Sequence, residues 1–297
     1  MTLVLALGGN ALGRGTVAEQ LTVLREACAA IAPLVQEGEV VVTHGNGPQV
    51  GNELLRQERA ADEVHPLPLY LNVAQTQAEI GAMIEIELGA ASSREVVCLL
   101  THVEVEADDP AFASPSKPIG PFYGAEEARD LERGRGWQLV EDAGRGFRRV
   151  VPSPEPLEIV ELDAIRALLA SGAVTIACGG GGIPVVRREG RLRGVDAVID
   201  KDRASALLAT RVRAERLVIL TEVPAVYRRF RKSNQEEIRE LTAEEADGLL
   251  ADLAEGSMRP KVEAAITFAR AGGETLITSF AALAEALAGR AGTRVTP

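Results

Sequence analysis

The chain has 297 residues and a formal net charge of -11 at pH 7, with an isoelectric point near 5.0. Hydrophobic residues make up 46% but aromatics only 3%, so the chain can build one large domain or two lobes around an aliphatic core. The acid excess argues against nucleic acid and anionic membranes as partners, and no run approaches the ~18 apolar residues of a membrane span.

Residues 3–7 are an apolar run that stops at Gly8, Gly9 and Asn10. That is the pattern of a buried strand feeding a turn that admits only small residues. The N-terminus lacks a basic stretch, which argues against a secretory signal. A helix is expected over 17–36, with Leu21, Leu24, Cys28, Ile31 and Val35 as its apolar stripe and Gly38 as its stop. A second buried strand over 40–43 ends in another glycine loop, His44-Gly45-Asn46-Gly47-Pro48. Strand, helix and strand at short spacing form a βαβ unit and a parallel sheet. Ligands of such sheets sit at the carboxyl ends of the strands, where both glycine loops fall. His44 reads either as a base or as an imidazole that holds the loop by hydrogen bonds. A helix over 71–88 and one long strand over 95–105 follow, the strand with Val97, Leu99, Thr101, Val103 and Val105 on one face.

The texture changes over 108–156, which is dense in proline, glycine and arginine. The stretch is too long for an ordinary loop and reads as an excursion or lid, with strands over 137–140 and 147–151. Prolines at 115, 118 and 121 stiffen the backbone around Lys117. Regular structure resumes with a helix over 162–170 and a strand over 174–177 that runs into Cys178 and Gly179 to Gly182. A hairpin is expected around Glu189-Gly190, then a strand over 217–220 and a polar loop over 228–237. Helices over 243–254 and 261–271 and a final strand and helix over 275–278 and 281–288 complete the pattern. Cys28, Cys98 and Cys178 lie in apolar sequence, as reduced thiols of a cytoplasmic protein would. His44, His65 and His102 have no metal-ligand spacing.

Chemistry concentrates around Asp200-Lys201-Asp202, which opens a helical run. A lysine between carboxylates at a helix start suits anion chemistry, because unpaired N–H groups and partial positive charge gather there. Lysine occurs only at 117, 201, 232 and 261, against arginine nearly everywhere else; it is kept where a compact, mobile ammonium is useful. Three glycine turns at strand ends add backbone donors for oxyanions. Neither the P-loop pattern nor G-x-G-x-x-G occurs, and no nucleophile–histidine arrangement is evident.

The segments LALGGNAL, VVVTHGNGPQVGN, PSKPIGPFYG, ACGGGGIPV, RGVDAVIDKDRASALLA, LVILTEVPAVY and GSMRPKVEAAI resemble carbamate kinase, of the amino-acid kinase superfamily, in order and over nearly the whole length. The resemblance implies an α/β fold. It is a three-layer αβα sandwich with an open, mostly parallel sheet of about eight strands and a small protruding subdomain. Residues 1–107 with 157–170 would form the acceptor lobe, 108–156 the lid and 171–297 the nucleotide lobe. The implied reaction is reversible phosphoryl transfer between carbamoyl phosphate with ADP and carbamate with ATP. Mg2+ would arrive with the nucleotide. A cytoplasmic homodimer serving arginine metabolism is also implied, with neither nucleic acid nor membrane as partner.

By motif, the resemblance assigns Lys117, Lys201 and Asp202 to catalysis. It places Gly8, Gly9, Asn10, Gly179 and Gly180 around the phosphoryl group and Gly45 and Asn46 around the acceptor. The nucleotide would meet Lys201, Thr221, Val223, Tyr227, Ser257, Met258 and Lys261, and no side chain is assigned to the metal. Ala6 stands where many superfamily members carry a lysine, so Lys117 would supply that charge. Tyr70, Ala78, Glu222 and Arg259 depart from the family pattern. Two alternatives stand beside this reading: a kinase of another small carboxylate-like acid, and a nucleotide-binding regulator without catalysis, which the retained lysines argue against.

Overall fold

The computed structural model describes residues 1–8, 15–141, 144, 146–253 and 258–297. Gly9, Asn10 and Ser257 lie outside the described residues. An eight-stranded sheet runs, edge to edge, Glu240–Thr242, Thr293–Thr296, Glu274–Ser279, Arg216–Thr221, Thr2–Leu7, Glu39–His44, Val174–Ile176 and Val96–Cys98. Every pair is parallel except Glu274–Ser279 with Thr293–Thr296.

The period of two along each strand splits the core into two layers. On Thr2–Leu7, Val4 and Ala6 join one apolar cluster while Leu3, Leu5 and Leu7 join the other. On Arg216–Thr221, Leu217 and Ile219 pack on the first side, Val218 and Leu220 on the second. Helices cover both faces: Val17–Ile31 and Leu69–Ala91 contribute Leu24, Ile31, Ile80 and Ile84 to one cluster, and Lys201–Arg211 and Arg259–Arg270 contribute Leu208, Val262 and Phe268 to the other. The expected three-layer sandwich with a mostly parallel sheet is the fold observed.

The segment from 108 builds its own antiparallel sheet, ordered Lys117–Tyr123, Phe147–Val151, Leu139–Glu141, with the helix Ala125–Arg135 beside it. Its first strand lies on the helix Gly47–Arg59. The backbones nearly touch there: a Cβ on Gly51 would stand 2.9 Å from Gly120 Cα. A second tether joins the end of this segment to the residues before Lys201, as Val198 N donates to Pro152 O at 3.0 Å.

Several elements differ from expectation for identifiable reasons. The stretch 95–105 is two strands in two sheets. Val96–Cys98 closes the main sheet, and His102–Glu104 joins a second sheet between Ile183–Arg188 and Glu158–Ile159. The break sits at Thr101, whose N donates to Gln77 Oε1 at 2.7 Å and whose Oγ1 accepts from Cys178 N at 3.1 Å. The first helix stops at Ile31, and a 3-10 turn covers Ala32–Val35, since Pro33 has no N–H to continue the α pattern. The stretch 228–237 is no simple loop: Val226–Arg228 and Glu236–Ile238 pair as a hairpin. The hairpin around Gly190 forms as expected.

Candidate active site

Three strands end at the site. Leu7, His44 and Ile176 close neighbouring parallel strands, and tight loops follow the last two. The loop after Ile176 depends on absent side chains. Gly180, Gly181 and Gly182 have φ of +66°, +92° and +93°, a region that favours glycine. A Cβ on Gly179 would fall 2.2 Å from His44 Nε2, and one on Gly180 would fall 2.2 Å from Asn46 Nδ2. The second and third loops are therefore packed into each other. Gln77 clamps them, donating from Nε2 to Gly179 O at 2.8 Å, and Asn46 Nδ2 donates to Thr76 Oγ1 at 3.0 Å. Gly45 N donates to Leu7 O at 3.2 Å, which joins the second loop to the first strand, and Gly8 N donates to Leu220 O at 2.9 Å, which joins the end of that strand to Arg216–Thr221.

The helix Lys201–Arg211 starts against these loops because Asp200 caps it. Asp200 Oδ1 accepts from Asp202 N at 2.9 Å and from Arg203 N at 3.3 Å, the pairing expected of an N-cap carboxylate. Ser205 and Thr43 join hydroxyls at 2.7 Å, fixing the helix to the strand Glu39–His44. The helix Arg259–Arg270 packs beside it and brings Lys261 into its own first turn, with Pro260 at the helix start.

The charges converge here. Lys201 Nζ is 2.8 Å from Asp202 Oδ1 and Lys261 Nζ is 2.9 Å from Asp202 Oδ2. One nearly buried carboxylate thus holds both ammonium groups. Lys201 Nζ also donates to Leu7 O at 3.3 Å, at the edge of the Gly8 turn. Lys117 reaches in from the excursion, its Nζ 2.5 Å from Asp200 Oδ2. Three ammonium groups thus meet at two carboxylates, an arrangement that suits an anionic ligand.

Burial pulls the Lys201 ammonium below the usual lysine range, although Asp202 works against the shift. At Lys261 burial also pulls down, but Asp202, Asp200 and Glu222 outweigh it and the pKa stands raised. Asp202 and Asp200 face a burial penalty too. Lys201 and Lys261 overcome it at Asp202, Lys117 and Lys261 at Asp200, and both carboxyls are held below their ordinary values. His44 is fully buried and takes no base role from its surroundings: its Nδ1–H donates to Gly45 O at 3.1 Å, and Nε2 faces Gly179 without a partner. Burial above all, with Lys201 adding to it, depresses its pKa to about 4.

Of the residues named from sequence, Gly8, Gly45, Asn46, Lys117, Gly179, Gly180, Lys201, Asp202 and Lys261 lie on this connected network. Thr221 ends the strand beside Gly8, and Glu222 lies near enough to act on Lys261. Met258 precedes the Lys261 helix and packs on the core. Tyr227 sits on the hairpin with its ring 5.9 Å from that of Phe230, and Val223 is half-buried in the preceding turn; no described contact joins either to the lysines. The departures Tyr70 and Ala78 are also off the junction. Tyr70 covers Gly194, where a Cβ would lie 2.4 Å from its ring, and Ala78 points outward. Asp200 was singled out in the sequence as a charge flanking Lys201 but given no site role, and Gln77 was not named. An aspartate directly before a helix is an N-cap signal and could have marked the first; nothing local marks the second.

This arrangement defines a class. A profile of the amino acid kinase family matches residues 1–279, and the chain belongs to that family. A carbamate kinase of Staphylococcus haemolyticus is 47% identical over 99% of this chain and 98% of its own length. A carbamate kinase-like protein of Escherichia coli is 47% identical over 98% of this chain and 97% of its own. The structure of a carbamate kinase from Giardia lamblia bound to AMP-PNP superposes with a TM-score of 0.90 at 39% identity, covering 99% of this chain and 98% of that one. Within the family the chain belongs to the carbamate kinases, which are phosphotransferases.

The buried His44 gives stability a pH dependence. Its folded pKa of about 4 is below the ordinary 6.5, so the unfolded chain binds the extra proton between those values. Stability from the neutral imidazole is full above pH 6.5 and declines as pH falls toward 4, by about 3 kcal/mol across that window. Denaturant unfolding at pH 6.5 and 4.5 is expected to show this slope in the wild type and a flatter one in His44→Gln.

Proposed function

We propose that the three-lysine junction carries reversible transfer of a phosphoryl group between carbamoyl phosphate and ADP, forming carbamate and ATP. In the ATP-forming direction a terminal oxygen of ADP attacks phosphorus, the bond from phosphorus to the carbamoyl oxygen breaks, and carbamate leaves with that oxygen. The observation that carries the reading is the convergence of Lys117, Lys201 and Lys261 on Asp200 and Asp202 beside strand-end glycine loops. Phosphoryl transfer needs positioning and neutralisation of spread negative charge more than covalent chemistry, and this is what the junction offers.

In this reading Lys261 meets the nucleotide phosphates and Lys201 the group in flight, next to the Gly8 turn with Gly9 and Asn10. Asp202 orients both lysines. Gly45 and Asn46 face the carbamate end, with Gly179 and Gly180 closing the loop behind them. Thr221, Val223, Tyr227, Ser257 and Met258 line the rest of the nucleotide site. Lys117 arrives on the excursion. The acceptor lobe is 1–107 with 157–170, the lid 108–156 and the nucleotide lobe 171–297.

Among the described residues no three or more potential metal-ligating side chains converge. Mg2+ would arrive with the nucleotide, keeping several of its waters beside the phosphates; its chemistry is to neutralise phosphate charge. Among the described residues no helix is long and apolar enough to cross a membrane. A cytoplasmic homodimer acting in arginine metabolism completes the proposal, supported by the family resemblance.

The test is ATP formation from ADP with carbamoyl phosphate, and with acetyl phosphate in parallel. Carbamoyl phosphate is expected to be used far faster; equal rates would place the chain with kinases of other small acids. Lys117→Ala is expected to lower kcat by ~10²–10³, as loss of a preorganised oxyanion donor does, with little change in ADP affinity. An unchanged kcat would remove Lys117 from the reaction.

A further inference from the structure

The excursion leaves and rejoins the body at neighbouring points, and one side chain outside it reaches that root. Asp109 Oδ1 accepts from Ala111 N at 2.7 Å and its Oδ2 accepts from Glu155 N at 3.0 Å, so entry and exit are clasped together. The Glu155 carboxylate then accepts from the Arg203 guanidinium. The other arm of the guanidinium donates to Glu263 Oε2 at 3.0 Å, and Arg259 Nε donates to Glu263 Oε1 at 3.0 Å. Arg203 follows Asp202 directly, and Glu263 stands two residues after Lys261.

We propose that Arg203 is a positioning residue that sets the excursion, and with it Lys117, relative to the Lys201 and Lys261 helices. A planar guanidinium with its two arms on carboxylates from different elements fixes angle as well as distance. The groups are partly exposed: the side chains of Arg203, Glu155 and Glu263 are 32%, 59% and 24% accessible, and they wall an open cleft of about 440 Å³. Ion pairs in such a setting add little to stability, so the role of this network is orientation. The backbone tether from Val198 to Pro152 and the Gly51–Gly120 contact do not involve Arg203. Its loss loosens the arm without releasing it.

The inference rests on the reading of Lys117 as a transfer group, and the test separates the two. Arg203→Met and Arg203→Lys are made in the wild-type and Lys117→Ala backgrounds. Arg203→Met is expected to lower kcat about tenfold, within the range by which coupling residues act, with the KM for ADP and the melting temperature nearly unchanged. Arg203→Lys restores little, since one ammonium cannot reproduce the fork. In the Lys117→Ala background the same change alters kcat by less than about twofold, the mark of a shared pathway. A second readout needs no catalysis. Trp137 is the only tryptophan and sits in the excursion with Arg149 over its ring at 4.5 Å. Its time-resolved anisotropy is expected to gain a larger fast component in Arg203→Met. A wild-type kcat in Arg203→Met, a full additional loss in the Lys117→Ala background, or unchanged Trp137 anisotropy would each overturn the proposal. Failure of the wild type to use carbamoyl phosphate would count against the proposed function, and the anisotropy would still decide whether Arg203 holds the arm.

Discussion

The site depends on one carboxylate serving two ammonium groups. Asp202 bridges Lys201 and Lys261, each on the first turn of a different helix. Burying such charges is costly, and the cost is met only when every partner is in place. The pairing therefore constrains everything around it. The two helices must start at the same level, Asp200 must cap one of them, and the first strand must end where Leu7 O can receive Lys201. Lys201 Nζ, held in this way, donates to Leu7 O directly before Gly8.

A second constraint is steric. The loops after the strands Glu39–His44 and Val174–Ile176 are interlocked at distances that leave no room for side chains. Gly179 lies against His44, Gly180 against Asn46 and Gly181 against Ile199 O. His44 is thus part of the scaffold: its ring fills the space behind Gly179 and stays neutral through burial. Gln77 plays a comparable part from the helix Leu69–Ala91, holding Thr101 and Gly179 together. The same clamp turns the chain from the main sheet into the smaller one, so the break in 95–105 and the shape of the loop have one cause.

Local patterns made much of this legible. Continuous apolar runs at 3–7, 40–43 and 217–220 marked buried parallel strands, and glycine runs marked the carboxyl ends of the first two. The scarcity of lysine singled out Lys117, Lys201 and Lys261, which the fold gathers from positions as far apart as 117 and 261. What was not legible depends on distant partners. The strand pattern over 95–105 carries straight through the break, because both halves alternate in register with different sheets. The edge strand Glu240–Thr242 and its neighbour Thr293–Thr296 are short and polar, and they become strands only by pairing with each other and with Glu274–Ser279. The Arg203 bridge gave no local signal at all, since its carboxylates lie 48 and 60 positions away.

The most direct measurement of the central claim is a lysine-selective NMR titration, practical because the chain has so few lysines. With 13C- and 15N-labelled lysine, the side-chain titrations of Lys201 and Lys261 are followed in the wild type and in Asp202→Asn. If the shared carboxylate keeps both buried ammonium groups charged, both titrations move to lower pH when its charge is removed, because burial then acts unopposed by it. Titrations that stay where they are in the variant would contradict the account.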